Sequence, residues 1–103
     1  YQKRGWSLLK HSYRGVGFEI DLIMSKENYL VFIEVKYRKY CDISEDFLTN
    51  LMSYKKRLAL QRGAEKFVST FDGYDNFRFD LAVLTKESGD FQTRIFPDIV
   101  IFS

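Results

Sequence analysis

Two apolar runs interrupted by charge dominate the pattern along the chain. They are Phe18-Glu-Ile-Asp-Leu-Ile-Met24 and Tyr29-Leu-Val-Phe-Ile-Glu-Val-Lys-Tyr37, separated by the polar Ser25-Lys-Glu-Asn28. Short runs rich in Ile, Val, Phe and Tyr on either side of a polar turn read as the two strands of a hairpin. Residues two apart in a strand share a face, so Glu19 pairs with Asp21 on one side and Glu34 with Lys36. If Met24 and Tyr29 close the turn, Glu19 lies opposite Glu34 and Asp21 opposite Phe32. Ile20, Leu22, Val31, Ile33 and Val35 then form an apolar layer on the other face. A slip of one residue mixes the faces and is disfavoured. A slip of two keeps them and sets Asp21 opposite Glu34. In both allowed registers Asp21 and Glu34 are adjacent or diagonal neighbours.

The flanking pattern completes a mixed α/β chain. Tyr1 to Lys10 reads as the end of a helix, a turn at Gly5 and a short strand from Trp6. His11 to Gly17 reads as a loop with two glycines. After a basic stretch, Arg38-Lys-Tyr-Cys-Asp42, a short helix is expected within Ser44–Met52. Ser53 is placed to cap a longer helix from Tyr54 to about Phe71. Leu60, Ala64, Phe67, Val68 and Phe71 recur at helical spacing, with Gly63 marking close packing against a sheet. Phe77 to Leu84 is a strand with Asp80 as a polar interruption, Lys86 to Asp90 a turn, and Phe91 to Phe96 a strand ended by Pro97. Ile99 to Phe102 is apolar and expected on the core or on a second chain, which leaves room for a homodimer.

Composition narrows the class. The 103 residues, nearly half apolar with ten Phe and seven Tyr, suit one globular domain. A net charge of +2 permits a nucleic-acid partner without arguing for one, so clustering must carry that case. One cysteine, Cys41, and one histidine, His11, exclude an internal disulfide and a Cys/His zinc site. A free thiol, no signal peptide and no membrane-length apolar run point to the cytoplasm and away from a membrane.

The chemistry follows from the hairpin. Phosphodiester hydrolysis needs a positive centre against the charge that grows on phosphorus oxygens, and a more acidic water. A hard divalent cation, Mg²⁺ or Mn²⁺, supplies both and takes oxygen ligands. Asp21 and Glu34 offer carboxylates, the Val35 carbonyl a third oxygen, and Glu19 a further ligand or tuning charge. Twist or a bulge can bring Asp21 and Glu34 onto one ion. Lys36 can orient the attacking water and stabilise the transition state. Arg14, Arg38, Lys39, Lys55, Lys56 and Arg57 are candidate phosphate contacts, with Tyr37 and Tyr40 as stacking surfaces. Lys55, Lys56 and Arg57 crowd the end of the helix that the dipole makes unfavourable for cations, which suggests a bound anion. A salt-bridged structural face and a solvated basic turn are the plain alternatives.

Asp21, twelve intervening residues and Glu34-Val35-Lys36 resemble the metal motif of the PD-(D/E)xK nuclease superfamily. More closely, Glu19-Ile-Asp-Leu-Ile23, Leu30-Val-Phe-Ile-Glu-Val-Lys-Tyr-Arg38, Lys56 with Leu60 and Ala64, and Arg78-Phe-Asp80 resemble the YraN-like family, small bacterial proteins similar to archaeal Holliday-junction resolvases. The likeness runs from about Gly5 to Ile95. It implies a restriction-endonuclease-like core, a mixed β-sheet flanked by helices. It also implies a cation held by Asp21 and Glu34, Lys36 as catalytic lysine, and Arg38 and Lys56 near the site or the nucleic acid. Two departures stand out. Phe18 occupies the place of the family's usual glycine, and the family's N-terminal helix, which carries a further glutamate, is expected to precede Tyr1.

The expectation is a metal-dependent endonuclease hydrolysing DNA phosphodiesters, branched DNA included. The alternatives are a non-catalytic nucleic-acid-binding module and a protein-interaction domain.

Overall fold

The computed structural model describes residues 1–38, 53–71, 73–87 and 89–99. A short 3-10 turn, Gln2–Arg4, ends at Gly5, whose φ of 91° lies in the left-handed region. Five strands follow, β1 (Ser7–Gly15), β2 (Phe18–Lys26), β3 (Tyr29–Arg38), β4 (Asn76–Glu87) and β5 (Asp90–Phe96). A helix, α1 (Tyr54–Thr70), lies between β3 and β4. The strands form one sheet in the order β1-β2-β3-β4-β5. Neighbours are antiparallel except β3 and β4, which run parallel. A parallel pair cannot be joined by a tight turn, and α1 lies in the required crossover. The architecture is α/β with a mixed sheet, as expected.

The hairpin forms in the two-residue-slipped register. Lys26 pairs with Tyr29 and Met24 with Val31, so the turn is Glu27-Asn28 rather than the four residues from Ser25. Two-residue turns with left-handed φ match the twist of their strands, and Glu27 adopts a φ of 56°. The turn is also tied to the approach of β4. Asn28 Nδ2 donates to Asp75 Oδ2 at 2.7 Å, and the Asp75 N–H donates to the Asn28 carbonyl at 3.0 Å. The expected loop from His11 is instead strand as far as Gly15, because Leu9 and Tyr13 pack against the core.

Ser53 caps α1 as predicted, its hydroxyl accepting from the Lys56 N–H at 3.2 Å. The helix lays Leu60, Ala64 and Phe67 on Ile20, Ile23, Leu30, Phe32, Phe79, Leu81 and Val83. Phe67 meets the rings of Phe32 at 6.0 Å and Tyr13 at 5.5 Å. Full burial of one such side chain contributes about 2–3 kcal/mol, so this face holds the fold together. Gly63 is where helix and sheet come closest. A Cβ there would stand 2.7 Å from Ile20 Cδ1, a contact only glycine avoids.

The face away from α1 carries a smaller cluster, Met24, Val31, Ile33 and Ala82, with Tyr1, Trp6, Leu22 and Val35 against it. At its edge lies Asp80, fully buried. Its carboxylate receives the Arg78 guanidinium at 3.0 and 3.1 Å, the Tyr1 hydroxyl, and the Asp98 N–H at 2.9 Å. Burial and the Asp80 carboxylate push the Tyr1 hydroxyl pKa up, so it stays a donor. Arg78 also stacks 5.3 Å from the Trp6 ring centroid. Among the described residues no helix is long and apolar enough to cross a membrane. The expected helix within 44–52, the Lys39-Tyr40 loop and residues 100–102 of the apolar tail lie outside the described residues.

Candidate active site

Glu34 follows Leu30 and Phe32 along β3 toward α1, and it is 2% exposed. A carboxylate that deep needs compensation. It comes from two ammonium groups on one oxygen. Lys36 Nζ lies 3.3 Å and Lys56 Nζ 3.2 Å from Glu34 Oε1. Lys36 reaches it along the same face of β3, and Lys56 from the first turn of α1. Glu34 Oε2 is buried with no hydrogen-bond partner among the described residues.

Asp21 sits where the alternation of β2 breaks. Ile20 and Ile23, three residues apart, both join the core beneath α1. In a regular strand they would face opposite ways, so Ile20 does not join the apolar layer assigned to it with Leu22 and Val35. Across from Asp21 on β1, between the pairs His11–Leu22 and Tyr13–Ile20, Ser12 takes a φ of 51°. Such an irregularity re-aims side chains. The β2–β3 pairing also ends at Leu22–Ile33, and beyond it Asp21 Oδ2 accepts the Val35 N–H at 2.8 Å. The carboxylate therefore stands in for the missing strand partner. It borders an open depression of about 540 Å³ on the face away from α1, with His11, Tyr37 and Ile95.

The two carboxylates sense each other. Burial, then the charge of Asp21, raises the Glu34 pKa, while Lys56 and Lys36 partly offset the rise. A carboxyl that is more basic folded than unfolded makes the native chain the stronger proton binder. The linkage then costs stability as pH rises from the ordinary glutamate value of 4.5 through the raised one. Melting temperatures measured across that window should fall for the wild type relative to Glu34→Gln. A wild type that gains on the variant as pH rises would show the opposite sign and refute the assignment.

The other predicted residues divide. Glu19 does not join Glu34. It pairs with Arg14 at 3.2 Å, with both side chains largely exposed, an arrangement of little energetic weight. The Arg38 guanidinium donates to the Tyr37 carbonyl at 2.7 Å. Lys55 is exposed and Arg57 half-buried on the first turn of α1. Lys39 lies outside the described residues. Phe18 packs its ring over Gly15 and beside Tyr13, at 5.4 Å between centroids. Patterning placed Lys56 on phosphate and the family resemblance placed it near the site or the nucleic acid, but neither named Glu34 as its partner. The signal was present as three consecutive cations at a helix start with no acid in that turn. The Tyr1–Arg78–Asp80 network had only the interrupting Asp80 and the Arg78-Phe-Asp80 stretch of the family resemblance to announce it.

Among the described residues no three His, Cys, Asp or Glu side chains converge as a ready-made metal centre. Two carboxylates, one with a buried oxygen that has no partner among the described residues, and the adjoining Val35 carbonyl still fit a hard cation that keeps much of its water.

Comparison with known proteins places the chain. The model of uncharacterised protein family UPF0102 matches residues 1–84. The chain belongs to the UPF0102 family. This is the YraN-like family whose motifs it resembles. A UPF0102 protein of Cytophaga hutchinsonii is 35% identical over 88 residues, 84% of this chain and 74% of that protein. UPF0102 protein FP2501 of Flavobacterium psychrophilum is 33% identical over 99 residues, 94% of this chain and 80% of the relative. A shorter match of 57 residues to a Coxiella burnetii UPF0102 protein reaches 42% identity and covers 48% of it. The UPF0102 match spans Asp21, Glu34, Lys36 and Lys56 and stops at Leu84, within β4.

Proposed function

We propose that this UPF0102 chain is an endonuclease-type phosphodiesterase acting on DNA, branched DNA included, with a restriction-endonuclease-like core. The observation that carries the reading is Glu34. It is a buried acid with one oxygen clamped by Lys36 and Lys56 and the other without a hydrogen-bond partner among the described residues, its pKa raised by burial and then by the charge of a second acid, Asp21. A purely structural ion pair would be expected to satisfy both oxygens. Asp21, Glu34 and the Val35 carbonyl would hold Mg²⁺ or Mn²⁺, which when bound offsets charge on the scissile phosphate and acidifies a water. Lys36 would orient that water and donate to the phosphate oxygens as they gain charge. Lys55, Arg57 and Arg38 would approach the phosphate backbone.

Calorimetric titration with Mn²⁺ tests the site. Asp21→Asn is the right variant, because Asn keeps an oxygen for the Val35 N–H, whereas alanine leaves that donor without an acceptor at a cost of about 1–3 kcal/mol. The wild type should bind, and Asp21→Asn should bind at least roughly tenfold more weakly. Equal affinity for the two proteins would remove Asp21 from the site.

A second reading is a binding module without turnover. It is favoured by the Lys36 and Lys56 ammonium groups both lying on Glu34 and by the absence, among the described residues, of a third converging acid. DNA affinity would then fall steeply with salt and persist in a chelator.

A further inference from the structure

We infer that Lys56 is a displaceable counter-ion for Glu34, a built-in competitor that leaves this carboxylate when a divalent cation is taken up and becomes a phosphate contact. This rests on the cation-dependent reading of the site. Two ammonium groups converge on one carboxylate oxygen at 3.3 and 3.2 Å. Asp21, whose carboxylate accepts the N–H of Val35 between Glu34 and Lys36, brings the local count to two negative charges and two positive ones. A divalent cation among these groups would leave two surplus positive charges in a partly dry pocket, so an ammonium group must withdraw.

The two lysines are not equivalent. Lys36 is two residues from Glu34 on the same strand face, and its side chain is the less exposed, at 23% against 30%. Lys56 stands on a different element, in the first turn of α1 between exposed Lys55 and half-buried Arg57. The helix dipole makes that turn a poor place for a cation without an anion nearby. Among the described residues, the anion that Lys56 meets is Glu34. Once that carboxylate is engaged elsewhere, a phosphate is the group that can take its place. Cation uptake and nucleic-acid binding are then coupled through one side chain, and by linkage each strengthens the other.

The test uses Mn²⁺ alone, with no nucleic acid, titrated calorimetrically into wild type, Lys56→Gln, Lys56→Arg and Lys55→Gln. Removing the competitor should tighten Mn²⁺ binding roughly tenfold in Lys56→Gln, while Lys56→Arg and Lys55→Gln stay near wild type. An unchanged or weakened affinity in Lys56→Gln overturns the inference, as does an equal gain in Lys55→Gln, which would mark a general charge effect. If Asp21→Asn weakens binding but Lys56→Gln leaves it unchanged, the cation site stands and only the counter-ion role falls. Absence of binding by every protein overturns both. A second measurement needs no variant. The acylation rate of Lys56 in the wild type, followed by mass spectrometry, should rise when Mn²⁺ is added, and a rate that does not move overturns the displacement.

Discussion

Lys36→Ala is expected to slow the proposed cation-dependent DNA cleavage by about 10²–10³-fold, the usual effect of removing one preorganised donor from a developing negative charge. Its Nζ lies 3.3 Å from Glu34 Oε1 and its side chain is mostly buried, so it is held in place before any substrate arrives. The loss should fall on kcat rather than KM, because the donor acts on charge that exists only in the transition state. The fold should survive, since Lys56 still holds the same carboxylate oxygen at 3.2 Å. With Lys36 gone, one of the two cations lowering the Glu34 pKa disappears, so that acid becomes still harder to ionise. Cleavage by Lys36→Ala at the wild-type rate would exclude Lys36 from the chemistry. Retained DNA binding with no cleavage by either protein would favour the non-catalytic module.

The second large effect belongs to stability. Asp80→Ala should destabilise the chain by roughly 3 kcal/mol, because it strands a guanidinium that the carboxylate now neutralises. Asp80 is fully buried and collects Arg78, the Tyr1 hydroxyl and the Asp98 N–H. Those partners come from the beginning of the chain, β4 and the segment after β5, so one acid ties three distant stretches together. For a domain of this size the loss corresponds to a fall in melting temperature of about 12–24 °C. The double variant Arg78→Met with Asp80→Leu should recover much of it, since removing both charges leaves none uncompensated. A melting temperature for Asp80→Ala within about 2 °C of wild type would mean that Arg78 finds water easily and the network carries little weight.

Much of the fold was legible because its determinants are local. The runs around Glu19–Ile23 and Leu30–Tyr37 alternate as strands must, and Ser53 followed by the stripe at Leu60, Ala64 and Phe67 announces a capped amphipathic helix. Gly63 marked a close approach that Ile20 confirms at 2.7 Å from a hypothetical Cβ. The register came out as the second of the two allowed. Face patterning cannot separate registers two residues apart, and the choice fell to the Glu27-Asn28 turn and its anchor on Asp75.

The acids Asp21 and Glu34, the lysine Lys36 and the cation chemistry they suggest are written in residue type and spacing along two neighbouring strands. Tertiary structure alone decided how they meet. Strict alternation would leave Asp21 on a regular face beside Glu19. The break between Ile20 and Ile23 instead turns its carboxylate onto the Val35 N–H, and Glu19 goes to Arg14. Lys56, which patterning assigned to an external anion, finds an internal one. Local periodicity says which way a side chain points from its own element. Which charge it meets depends on how α1 is laid across the sheet, and that is settled by packing Phe67, Leu60 and Ala64 on the strands beneath.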